Sequence, residues 1–285
     1  MNLDLSIDDA RDPAAKLGLT LASPRIVLLL QIAAFWQIWL LTGARFFTSA
    51  DGPWALLPLA AVVFFSWSEK AVPPEAINPS ALLSAAVFLL LYAAGTSVIP
   101  VPFIIRGLLA IISITIVVSS WRFRQPFQVG IFALFGLSLP LTDSLNFFLG
   151  FPMRALVGDI VAALLRLQGL NVFREGVSLD FGGKLIWIDA PCSGIKMLWF
   201  GAFLAVFLSL LFRLGSIKIL AALALTFIAV LIGNVLRASA LFYIEGGLIE
   251  SSDWMHSAVG VVSFAISSLL IIVTVRWLSE ARWRK

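Results

Sequence analysis

Residues 217–243 read I-K-I-L-A-A-L-A-L-T-F-I-A-V-L-I-G-N-V-L-R-A-S-A-L-F-Y, with Lys218 and Arg237 as the only charges. A helix needs about 20 mainly apolar residues to cross a bilayer, and this stretch exceeds that length. The whole chain has the same character. Of its 285 residues 60% are hydrophobic and 13% charged, against roughly a quarter charged in a soluble domain, and its mean hydropathy is +1.01. Working outward from 217–243, comparable stretches lie at 26–44, 53–67, 81–98, 102–120, 127–148, 193–212 and 257–278. The fold class expected is an all-α polytopic membrane protein of about eight transmembrane helices. Because the second stretch is short and the fifth contains Pro140 and Asp143, seven or nine spans also fit.

Basic residues in tails and short loops stay on the cytoplasmic side. With both ends inside, the inner segments hold Arg11, Lys16, Arg25, Lys70, Arg122, Arg124, Arg213, Lys218, Arg276, Arg282, Arg284 and Lys285, whereas the short outer loops hold Arg45 and Arg106. Residues 1–25 mix Asp4, Asp8, Asp9 and Asp12 with Arg11, Lys16 and Arg25, unlike a secretory signal, and read as a cytoplasmic tail. Residues 26–148 follow as N-terminal transmembrane helices. Residues 149–285 form a second region: an interfacial helix, a hairpin, three transmembrane helices and a basic cytoplasmic tail. The net charge of +4 is scattered between apolar stretches and makes no stripe of the kind nucleic acid requires, so the basic residues are assigned to topology and membrane lipids.

Only residues 149–192 depart from span composition. Between 152 and 168 the helical period puts Met153, Leu156, Val157, Ile160, Leu164 and Leu165 on one face and Arg154, Asp159 and Arg166 on the other, the pattern of a helix lying in the outer interface. Val177, Leu179 and Phe181 then alternate with polar residues up to Gly182-Gly183, and Lys184 to Ile188 follows, which predicts a small β-hairpin before the sixth span.

The hairpin leads into Asp189-Ala190-Pro191-Cys192-Ser193-Gly194. Asp189 or Ala190 suits a helix cap and Pro191 the first helical position, which puts Cys192 in the first turn, where the helix dipole favours thiolate. Taken alone, a single cysteine in an apolar chain is a small buried hydrophobe. Arg237 lies eight residues before Glu245, about 12 Å along a helix, and a charge at that depth marks function or a partner. Snorkelling, or pairing with Glu245 or Asp253, is the structural reading of the same residue. Asn234, one turn earlier, either orients Arg237 or glues helices together. The sole histidine, His256, follows the capping run Ser251-Ser252-Asp253 and falls in the first turn of the last span. By topology Cys192, Arg237 and His256 share one depth on the outer side. A thiolate nucleophile, an imidazolium that protonates an amine leaving group, and a fixed cation facing an oxyanion together describe acyl transfer through a thioester.

Other candidates carry less. Lys196 either lowers the cysteine pKa or reaches outer headgroups. Ser193 and Ser239 are alternative nucleophiles, weaker than cysteine at neutral pH. One cysteine and one histidine exclude a disulfide and a zinc site of soft ligands. Since Gly194 to Gly201 leads to no Gly-Lys-Ser/Thr run, it forms no phosphate loop. Neither a metal nor a cofactor is expected.

The runs A-P-C-S-G-I-K-M-L at 190–198, N-V-L-R at 234–237 and M-H-S-A-V-G at 255–260 resemble the three signature blocks of the exosortase/archaeosortase family. Upstream, P-M-R-A-L-V-G-D-I-V-A-A-L-L-R-L-Q-G-L at 152–170 resembles the family's region before the cysteine. The similarity covers about residues 150–275. It implies a membrane-embedded cysteine transpeptidase of the prokaryotic cytoplasmic membrane, with its site on the extracytoplasmic side. Its partners would be exported proteins that end in a short motif such as Pro-Glu-Pro, a transmembrane helix and a basic cluster. A lipid or glycan acceptor would receive the new C-terminus, often alongside exopolysaccharide production. Carried over by position, Cys192 is the nucleophile, Arg237 the oxyanion or carbonyl partner, and His256 the acid and base. The expected interfacial helix and hairpin then shape a groove over the scissile bond. Two rival expectations are a non-enzymatic carrier or assembly factor for polysaccharide export, with Arg237 binding an anion, and a simple hydrolase of the same signal.

Overall fold

The computed structural model describes residues 23–48, 52–69, 77–97, 101–188, 193–250 and 252–281. Most of the expected cytoplasmic tail, the end of the basic C-terminal tail, Lys70 and the segment Asp189 to Cys192 lie outside the described residues. Contacts divide the chain into two compact units, Met1–Leu139 and Pro140–Lys285.

The first unit holds α1 (Pro24–Ala34), α2 (Trp36–Thr48), a 3-10 turn (Gly52–Ala55), α3 (Leu56–Ser68), α4 (Pro79–Ser97), α5 (Phe103–Val118) continued by a π-helical turn (Ser119–Phe123), and α6 (Val129–Ser138). The first apolar stretch is broken, with α1 and α2 meeting at 62°. At the break Phe35 is fully buried and stands edge-on to Tyr92, while Trp39 Nε1 donates to the Ile32 carbonyl at 2.7 Å. Burial of one ring thus fixes the bend, and an indole N–H supplies a partner beside it. Across the unit Gln31 Nε2 donates to Ser113 Oγ at 2.8 Å, and Ser113 Oγ to the Ala85 carbonyl at 2.8 Å, a buried polar relay that ties three helices together. Arg122 reaches the carbonyls of Ser66 and Glu69 at the end of α3, where a cation meets the negative pole of a helix.

The second unit holds α7 (Thr142–Leu167), β1 (Val172–Glu175), β2 (Ser178–Phe181), β3 (Lys184–Trp187), α8 (Ile195–Leu211), α9 (Ser216–Glu245) and α10 (Asp253–Glu280). The three helices α8, α9 and α10 pack on one another at small residues. A methyl group at Gly201 of α8 would lie 3.0 Å from Ile271 Cδ1 and 3.1 Å from Thr226 Cγ2, so glycine is what allows these backbones to approach. Lys218 Nζ donates to the Leu278 and Ala281 carbonyls at 2.8 and 2.7 Å, closing the end of α10 as Arg122 closes α3.

Four expectations require correction. Helix is present in all eight predicted stretches, but among the described residues five helical segments are long and apolar enough to cross a bilayer, or six if the bent α1–α2 pair is one span. The segments that fall short are Gly52–Ser68, Val129–Ser138 and Ile195–Leu211. Secondly, the fifth stretch does not run to residue 148. Helix α6 stops at Ser138, before Pro140, and α7 begins at Thr142. The expected interfacial helix is the later part of α7, a 26-residue helix that passes through Pro152 and is itself apolar enough to span. Proline is tolerated inside apolar helices of membrane proteins, where neighbouring groups re-satisfy the freed backbone. Its buried face is also turned from the expected one. Met153, Val157 and Leu165 are buried together with Gly158, Val161 and Ala162, whereas Leu156 and Leu164 are exposed. Thirdly, the hairpin is two strands of a three-stranded antiparallel sheet ordered β1-β2-β3. Gly182-Gly183 makes the β2–β3 turn with φ of 63° and 84°, and Asp180 Oδ1 accepts from Gly183 N at 2.9 Å. The unpredicted β1 pairs Val172 with Phe181 and Glu175 with Ser178. The fourth correction is the start of α8. It begins at Ile195 after Gly194, whose φ is 75°, two residues later than the stretch expected from 193; the expected cap, Pro191 and Cys192 lie outside the described residues.

Candidate functional site

One core joins the sheet to the helices: Val157, Val161, Ala162 and Leu165 of α7, Val172, Leu179 and Ile186 of the strands, Ile188, and Val235, Ala238, Leu241 and Phe242 of α9. Gly158 allows the strands to settle on α7, since a methyl group there would lie 3.0 Å from both Arg174 Cδ and Ile188 Cδ1. Arg174 also pairs with Asp159 of α7, and Phe181 stands edge-on to Phe242 at 5.4 Å. The sheet therefore covers the end of α9 beyond Arg237.

His256 is the fourth residue of α10. It lies against a hollow lined by Ile186, Trp187, Ile188, Ala238, Phe242 and Glu245, with Nδ1 3.9 Å from Glu245 Oε1. That separation exceeds a direct hydrogen bond. Lys184 Nζ donates to the Glu245 backbone carbonyl at 2.6 Å, which pins the end of α9 to β3. Glu245, considered from sequence as a partner for Arg237, thus stands beside the imidazole.

Arg237 is half-buried in α9, with its guanidinium carbon 3.9 Å from where a methyl group on Gly260 would sit. Gly260 is four residues after His256 in α10, so Arg237 and His256 occupy successive turns along one helix–helix contact. Asn234, fully buried, faces Gly194: a methyl group there would lie 3.2 Å from its Nδ2. Ser193 is buried, its Oγ donating to Asn146 Oδ1 and accepting from Ile195 N, both at 3.4 Å. These contacts hold the hydroxyl in the turn before α8. Ser239 Oγ is also buried, without a hydrogen-bond partner among the described residues.

A cleft of about 460 Å³ opens between α7, α8 and α9, lined by Asn146, Gly150, Arg154, Ser193, Lys196, Met197 and Arg237. Sequence reading placed Arg154 on the outer polar face of an interfacial helix. In the structure it lines this cleft, with Nε donating to the Gly150 carbonyl at 3.2 Å. Asn146, Gly150 and Arg154 repeat every four residues and so form one stripe of α7. The structure thus brings Arg237, Lys196 and Ser193 together in the cleft, Asn234 against Gly194, and His256 beside the end of β3. Cys192 lies outside the described residues.

A small charged sheet laid over apolar helices, with a cationic cleft beneath it, defines the class: a polytopic helical membrane protein with a polar site at one end of its spans. The model of the transmembrane exosortase family (Exosortase_EpsH) matches residues 48–273, and the chain belongs to that family, which is generally one of cysteine transpeptidases. Comparison with curated proteins and with solved structures returned no significant match.

Proposed function

We propose that this exosortase cleaves the C-terminal sorting signal of exported proteins through a thioester on Cys192 and transfers the new C-terminus to an acceptor. The supporting observation is covalent. Cys192 is bonded to Ser193, a lining residue of the cleft that holds Arg237, and adjacent Cα atoms are 3.8 Å apart. At the other end of the same short segment, Ile188 lines the hollow of His256.

In this reading Cys192 Sγ attacks the scissile carbonyl carbon and the carbonyl oxygen takes the negative charge, which the Arg237 guanidinium stabilises. Collapse breaks the C–N bond, and His256 gives its proton to the departing amine. An acceptor nucleophile then attacks the thioester and yields its proton to His256. The C–S bond breaks and thiolate is regenerated. Water in place of the acceptor makes the enzyme a hydrolase. The catalytic assembly faces the extracytoplasmic side of the cytoplasmic membrane, where an exported substrate is held by its own tail helix.

C-terminal peptide mass spectrometry of exported proteins tests this in the native host carrying either the natural chain or Cys192→Ala. The expected result is a set of proteins that lose a shared tail only with the intact cysteine, any added mass identifying the acceptor. Identical tails in both strains at equal expression would refute the thiol chemistry and leave the carrier reading.

A further inference from the structure

Strand β3 is an edge of the sheet. Antiparallel neighbours alternate between residue pairs that exchange N–H and C=O bonds and pairs that do not. Ile188 N donates to the Val177 carbonyl at 2.9 Å, and the register sets Ile186 opposite Leu179 and Lys184 opposite Phe181, so Lys184, Ile186 and Ile188 turn their backbone groups toward β2. Leu185 and Trp187 turn theirs away from it. Among the described residues no strand lies beyond β3, and no other backbone group bonds to Leu185 or Trp187. At the opposite edge, by contrast, Val172 N is already taken by the Leu170 carbonyl at 3.1 Å. An open edge is a template for another chain, and folded proteins guard such edges with charge, proline or a bulge. The register of β3 is unbroken and it holds no proline. Its one charge, Lys184, is committed to the Glu245 carbonyl. The two residues with outward groups are apolar and exposed, Leu185 at 44% and Trp187 at 61%.

What the edge borders names its occupant. Trp187 carries outward groups and also lines the hollow of His256, with Ile186 and Ile188 beside it. Cys192 follows Trp187 by five residues. A chain laid along β3 is therefore led to both groups to which cleavage is assigned. The pairing asks of that chain only main-chain N–H and C=O groups, which any extended peptide supplies, leaving its side chains free to confer selectivity. Two outward residues offer four hydrogen bonds, each modest on its own. That is enough to set the register of a segment and too little to retain a product. We infer that β3 is a docking edge, where the extended segment of an exported protein just before its tail helix adds as a fourth strand. The inference rests on the reading of Cys192 as the nucleophile and names how the substrate is held before attack.

The probe is the synthetic, fluorophore-labelled tail of a protein whose processing depends on Cys192 in the mass spectrometry above, N-methylated one residue at a time in the segment before its helix. Binding to the full chain carrying Cys192→Ala, in detergent, is followed by fluorescence anisotropy, so no cleavage intervenes. In either strand direction alternate peptide residues point their N–H groups at β3. Affinity should therefore fall about fivefold or more, the worth of one hydrogen bond, at every second position and hold at those between. Leu185→Pro in the same background removes one outward N–H and spares the bonds to β2, as proline at a sheet edge does, and should weaken binding comparably. Leu185→Ala keeps the N–H and should not. A scan without a period of two, natural affinity in Leu185→Pro, or equal loss in Leu185→Ala would overturn the assignment. The scan itself uses an unaltered β3, so it decides even where the proline variant fails to fold. Identical tails in both strains would refute the thiol reading and this inference together, whereas a processed tail with a flat scan refutes this inference alone.

Discussion

Gly194 opens α8 two residues after Cys192, the proposed nucleophile. Its φ of 75° is left-handed, a conformation that costs an L side chain about 1–2 kcal/mol, and a methyl group would press on Asn234 at 3.2 Å. Asn234 is fully buried one turn before Arg237, so the strain would fall on the geometry between Ser193 and α9. Gly194→Ala is expected to lower kcat for tail removal by about tenfold or more, the strain being about 1–3 kcal/mol, with KM nearly unchanged. Single-turnover cleavage of a tail peptide in detergent checks this, and natural rates would show that the turn tolerates a side chain. At this scale the sequence is informative about position along a helix and poor about direction. The depth of Arg237 and the place of His256 in the first turn of the last helix follow from spacing alone. Arg154 was turned the wrong way because its stripe, Asn146, Gly150 and Arg154, crosses the boundary drawn between a span and an interfacial helix. No periodicity computed within either piece contains all three.

Among the elements, α9 and α10 make the contact on which Arg237 and His256 both depend. Gly233 is its tightest point. A methyl group there would overlap Ser267 Oγ and lie 3.1 Å from the Ser263 carbonyl oxygen. The hydroxyl can rotate away, losing its bonds to the Ala229 and Ser263 carbonyls at 3.4 and 3.0 Å, but the backbone carbonyl cannot. Gly233→Ala should therefore destabilise by about 1–3 kcal/mol, as overpacking does, and lower the midpoint of thermal unfolding in detergent. Adding Ser267→Ala should restore only part of the loss, because Ser263 still blocks approach; an unchanged midpoint in the single variant would show that the helices are not held at this distance. Elements whose form depends on distant contacts were the ones hidden in the sequence. The bend at Phe35 has no glycine or proline to announce it and comes from burial against Tyr92. Strand β1, V-F-R-E, lacks clean alternation and exists because β2 pairs with it. The continuity of α7 through Pro152 depends on an apolar setting that tolerates proline.

For the whole molecule, the proposals rest on its orientation in the bilayer. One helix end of the second unit bears on it. Lys218, assigned to the cytoplasmic side by the distribution of basic residues, binds the Leu278 and Ala281 carbonyls at the end of α10. A cation that closes a helix end at the cytoplasmic surface serves topology and stability together. If that side is inside, the opposite ends of α9 and α10, with Arg237, Glu245 and His256, face outward beneath the sheet. The single cysteine of the chain makes this directly measurable, since any maleimide adduct must lie at Cys192. In intact cells a membrane-impermeant maleimide should label the natural chain without permeabilisation, and Cys192→Ala should remain unlabelled. A cysteine placed at Ser216, at the start of α9, in the Cys192→Ala background should react only after the membrane is opened. Labelling of Ser216→Cys in intact cells, with Cys192 protected until permeabilisation, would invert the molecule. It would also leave an exported substrate on the wrong side of the membrane from the thiol.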